Sequence, residues 1–140
     1  MYKLADLAIG MNLTEVNKPV IQENINLYAE ASGDFNPIHL DPKFGIKMQL
    51  GGTIAHGMMI LVYVSEWMVM NFGTEWLTSG KLDIRFKEPA RPGDIINVSG
   101  KIVNIEKESS QSLVSCDVTC QNQQGQIIIT GDTKVRLKAL

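Results

Sequence analysis

The sequence predicts an α+β fold over residues 1–140, one domain in which a curved antiparallel β-sheet wraps around a long central α-helix. Three observations predict it. The hydrophobic period is helical in the first half of the chain and alternating in the second. One stretch, AHGMMILVYVSEWMVMNFG at residues 55–73, is apolar nearly all round, the pattern of a helix buried inside something. The strands beyond it each carry one apolar face, and a sheet with one apolar face must cover it with another element.

The elements follow in chain order. MNLTEVNKPV, residues 11–20, reads as an early strand. VIQENINLYAEASG repeats its apolar residues at Ile21, Ile25, Leu27, Tyr28 and Ala31, close to helical spacing, and Gly33 sits where a helix would stop. Pro37 excludes a regular helix in the segment that follows. Asp41-Pro42 reads as an N-cap with Pro at the first helical position, opening a short helix over PKFGIKM. In the long apolar helix Trp67 and Met58, Met59, Met68 and Met70 are expected in the core.

Four strands in meander order are expected after that helix. KLDIRFKEP puts Leu82, Ile84 and Phe86 on one face, with Asp83, Arg85 and Lys87 on the other. RPGD at 91–94 is a turn. IINVSGKIVNIEKE is strand-like but switches face between Gly100 and Val103, as a β-bulge would make it do. Val114, Cys116, Val118 and Cys120 share one face of the next strand, and NQQGQ is a turn. In the last strand Ile127, Ile129, Thr133, Val135 and Leu137 are expected on one face.

Composition excludes several classes. At 140 residues the chain is long enough to bury roughly two-thirds of its surface without a disulfide or metal. Its 44% apolar content fits a folded globule, and its net charge of -2 gives no bulk attraction to nucleic acid. The opening MYKLADLAIGMNLTE lacks a basic stretch followed by an apolar core, so no signal peptide is expected. Ser65 and Glu66 interrupt the apolar helix short of the roughly 18 residues that a membrane span needs. On one strand face Cys116 and Cys120 would lie about 13 Å apart, too far to bridge. Free thiols without a leader make the cytoplasm the expected location.

The chemistry concentrates in SGDFNPIHLDP, residues 32–42, which gathers Asp34, Asn36 and His39 around Pro37. A carboxylate and an imidazole this close are either a capping device or an acid–base pair. Together YAEASGDFNPIHLDP, GGTIAHGMM and RFKEPARPGD resemble the MaoC-like (R)-specific enoyl-thioester hydratases, also called hydratase 2, and their dehydratase relatives. The resemblance extends over essentially the whole chain.

It implies a hotdog fold, dimerised sheet edge to sheet edge, in a homodimer or an assembly of dimers. It implies reversible hydration of trans-2-enoyl thioesters of coenzyme A or acyl-carrier protein to (R)-3-hydroxyacyl thioesters. Asp34 and His39 correspond to the catalytic pair, Asn36 to a supporting amide in substrate binding, and the Gly57 N–H to the donor that holds the thioester carbonyl. No metal or other cofactor is implied. The physical reading agrees. Water must lose a proton as it attacks C3, C2 must gain one, and charge builds on a carbonyl oxygen that a helix N-terminus can hold.

Plainer roles compete with these. Asp34 could cap backbone N–H groups, Asn36 could be a turn residue, and His39 a hydrogen-bonded loop histidine. Asp41 reads as a cap and His56 as structural. Arg85, Lys87 and Arg91 are candidates for substrate phosphate, and Met58, Met59, Tyr63 and Trp67 for the acyl pocket. Two other functions compete: a hotdog thioesterase, which would not need GDFNPIH on this loop, and an inert acyl-binding subunit, which would be expected to lose Asp34 and His39.

Overall fold

A computed structural model describes residues 1–139. Helices α1 (Gln22–Ser32), α2 (Pro37–Leu40), α3 (Pro42–Lys47), α4 (Gly57–Phe72) and α5 (Thr74–Ser79) lie between strand β1 (Val16–Pro19) and strands β2 (Lys81–Phe86), β3 (Ile95–Ser99), β4 (Ile102–Glu108), β5 (Gln111–Gln121) and β6 (Ile127–Lys138). The strands form one antiparallel sheet in the order β1-β3-β5-β6-β2, with β4 also paired to β5. Its apolar face packs on α4: Ile60, Val64, Trp67 and Met68 share one buried cluster with Val98, Cys116, Cys120 and Ile129.

Local signals in the sequence fix the element ends. Gly33 closes α1 in the left-handed region at φ 77°, and its N–H returns to the Ala29 carbonyl. The Asp41 side chain accepts from the Lys43 N–H, with Pro42 at the first position of α3. The expected bulge exists, because the pairing of β4 with β5 slips between Ile102 and Asn104. It lies inside β4, and the expected second strand of the meander is broken just before it, at Gly100 and Lys101, into β3 and β4, both antiparallel to β5.

Four expectations are corrected. Residues 37–40 do form a helical turn: Pro37 takes its first position, where proline's missing N–H costs nothing. The meander is broken, since β2 pairs with β6 rather than with β3. In β6, Ile128 is buried and Ile127 exposed. The reason is a second bulge: Cys120 faces Ile129 and Gln121 faces Ile127, which leaves Ile128 without a partner and turns Ile127 outward, while Ile129, Thr133, Val135 and Leu137 are buried as expected.

The fourth correction concerns α4 and the strand after it. Met59, Met68 and Trp67 are core, but Met58 is 56% and Met70 47% exposed. With Val62 and Glu66 they form a stripe at four-residue spacing along the helix face turned away from the core. Leu82 and Phe86 are likewise exposed, on an edge strand that has only β6 beside it.

Candidate active site

Three side chain–backbone bonds, each spanning two residues, shape the loop that carries the motif. Asp34 Oδ1 accepts from the Asn36 N–H at 3.2 Å, Asn36 Oδ1 from the Ile38 N–H at 3.2 Å, and Asp41 Oδ1 from the Lys43 N–H at 3.0 Å. Short polar side chains make such turns readily. Asp34 can therefore cap the loop through one oxygen and still present the other to His39. Oδ2 faces His39 Nε2 at 3.7 Å.

His39 is buried and tightly held. Its Nδ1 lies 2.8 Å from the Ile54 carbonyl, and since a carbonyl can only accept, the ring proton is on Nδ1. That leaves Nε2 facing Asp34. Gln22, at the start of α1, donates to the His39 carbonyl at 2.9 Å and accepts from the Thr53 hydroxyl at 2.6 Å. Ile54 N–H donates back to the Ile38 carbonyl, so residues 53–55 run as a strap beside α2. Gln22, Thr53 and the Ile54 carbonyl were not singled out by the sequence, where nothing but their later proximity marks them.

The strap ends at His56, which precedes the first residue of α4, Gly57. The Gly57 N–H is among the first four of the helix, which have no partner within it, and it lies at the positive end of the helix dipole. A Cβ on Gly57 would come 3.0 Å from the Phe86 ring, so β2 and the start of α4 nearly touch here. Beside them lies a cavity of about 230 Å³ walled by Ile54, Gly57, Ile60, Phe86 and Ile128, with Lys87 and Glu88 as its charged contributors. Met58, Met59, Tyr63 and Trp67 are not among its walls. Arg91 is occupied elsewhere, with Nε and Nη2 both donating to the Leu50 carbonyl.

Asp34, His39 and His56 each bring a ligand-type atom to within 4.8 Å of the others. The two imidazoles are stacked, however, with centroids 3.8 Å apart. Stacked rings hold their in-plane lone pairs side by side instead of aiming them at one centre. Nδ1 of His39 and Nε2 of His56 are also already bonded to carbonyls. The arrangement suits proton handling better than cation binding.

An antiparallel sheet packed on one long helix defines a hotdog-type domain, and here a carboxylate and an imidazole lie beside the residue that caps that helix. Residues 6–124 match the family described as MaoC like domain, and the chain belongs to that family. It is 29% identical over 137 residues to a 3-hydroxybutyryl-CoA dehydratase of Methylorubrum extorquens, covering 94% of this chain and 82% of the other. It is 26% identical over 126 residues to an (R)-specific enoyl-CoA hydratase of Rhodospirillum rubrum, covering 87% and 83%. The crystal structure of a MaoC-like dehydratase from Rhodospirillum rubrum superposes with a TM-score of 0.83 at 23% identity, covering 100% of this chain and 99% of that one.

Proposed function

We propose that the chain is a hydro-lyase that adds water reversibly across the trans-2 double bond of an acyl thioester, giving the (R)-3-hydroxyacyl thioester. The observation that carries this reading is the gap between Asp34 Oδ2 and His39 Nε2. At 3.7 Å it is too long for a direct hydrogen bond, and the two atoms can address one water between them. In the hydration direction the water oxygen bonds to C3. The C2=C3 π electrons move to the thioester oxygen, which the Gly57 N–H stabilises as an enolate. The pair takes one proton from the water and returns it to C2 on the same face. Asn36 supports the pair by capping the turn that carries His39.

The substrate is a thioester of coenzyme A or of a carrier protein. The first one to try has four carbons, since one relative is named for 3-hydroxybutyryl-CoA. The working unit in this proposal is a homodimer joined through β2, an edge strand with exposed Leu82 and Phe86.

The test is a hydration assay with crotonyl-coenzyme A, following loss of the enoyl absorbance, with longer enoyl chains and carrier-protein thioesters run in parallel. Turnover, with an (R) product by chiral analysis, is expected. A pure protein that hydrates none of them would overturn the reading.

A further inference from the structure

We infer that His56 is the positioning residue of the Asp34–His39 pair, a role that rests on the hydro-lyase reading above. The chain has two histidines, and they lie face to face, with centroids 3.8 Å apart and planes 25° from parallel. His56 is 2% exposed. Its Nε2–H donates to the backbone carbonyl of Asp34 at 2.9 Å. Tyr28 of α1 backs it at 4.8 Å, with the rings tilted by 54°. One side chain thus sets the plane of the imidazole and anchors the backbone of the acid.

The anchor matters because the Asp34 side chain is 52% exposed and stands on a loop. Among the described residues, the backbone N–H of Asp34 is held by the neighbouring Ser32 hydroxyl, at 3.2 Å. His56 ties this loop to the start of α4, and the pair's spacing follows from that tie. The other ring nitrogen, Nδ1, is buried without a partner. A histidine kept for packing alone would be expected to satisfy both nitrogens, or to be replaced by an apolar ring. Here a flat ring and one N–H donor are both used. The contacts that the fold supplies to this ring are thus one acceptor for Nε2–H and one flat face against His39.

Two variants of the full chain separate the contacts. His56→Phe keeps the ring and loses the donor; His56→Gln keeps a donor and loses the ring. Each is expected to lower kcat for crotonyl-coenzyme A by about ten- to a hundredfold, the cost of a small misplacement of catalytic groups, with KM changed by less than about threefold. Each loss should nearly vanish when the substitution is made on an Asp34→Asn background, because His56 acts through the pair. Nitrogen NMR of the wild type should show Nε2 protonated and Nδ1 bare at neutral pH. Full kcat in either variant, a loss undiminished on the Asp34→Asn background, or a protonated Nδ1 would overturn the role. An inactive wild type would overturn the hydro-lyase reading, and the role with it. An active wild type with active variants would overturn the role alone.

Discussion

The Asp34 carboxylate stops 3.7 Å short of His39 Nε2 while its other oxygen caps the Asn36 N–H. Asparagine can keep that cap through its own Oδ1 and loses only the charge. Asp34→Asn and His39→Gln should therefore each cut kcat by about a hundredfold or more. Their thermal midpoints should stay close to that of the wild type. The double variant should lose little more than either single, since one unit has been disabled. Steady-state rates on crotonyl-coenzyme A would check this, and multiplying losses would break the single-unit mechanism.

Gly57→Ala keeps the backbone donor but puts a methyl group 3.0 Å from the Phe86 ring. Expected is a fall in kcat/KM of about tenfold, from a displaced helix terminus rather than a lost group. Adding Phe86→Ala should return part of it. A Gly57→Ala enzyme with normal kinetics would show that the terminus has room to spare.

Burial pushes the Cys116 and Cys120 thiols up to about 12 from an ordinary 9.0. Both should resist iodoacetamide in the folded protein at pH 8 and react on unfolding, as mass spectrometry can count. The sign for stability follows. The unfolded chain begins to release these protons near pH 9, and the folded one only near pH 12. Their contribution is complete below about pH 9 and is lost as pH rises toward 12.

The backbone of α3 packs closely on the loop before the strap. A Cβ on Gly45 would collide with the Gly52 carbonyl, a backbone atom that cannot swing away. Gly45→Ala should cost roughly 1–3 kcal/mol, the usual range for overpacking. Urea titration with an unchanged slope would report it.

Sedimentation at micromolar concentration should show a dimer, and Leu82→Lys on the edge strand should weaken it. A wild type that sediments as a monomer would remove the dimer from the proposal.

The local features of this chain were legible because their causes are local. Gly33 ends α1, Asp41-Pro42 opens α3, and the face switch near Gly100 marks the bulge in β4. The pair itself was visible as Asp34 and His39, five residues apart. Strand order was not, because β2 and β6 pair across almost fifty residues, and nothing within either strand names its neighbour. The exposed side of α4 was hidden as well: Met58, Val62 and Met70 are as apolar as the residues that face the core. His56 gave one weak signal, its place beside the glycine that opens α4, and only folding brings it against His39.

The unpaired Ile128 in β6 carries one more implication. This surplus residue is also a wall of the cavity beside Gly57, and its carbonyl accepts from the Lys87 N–H at 2.9 Å. The outline of that cavity is set by how many residues the strand contains, as well as by which ones. Removing one residue there would realign the strand and recast the chamber while leaving Asp34, His39 and Gly57 untouched. Under the proposed hydro-lyase reading, a single deletion would change acyl preference without any edit to the groups proposed to react.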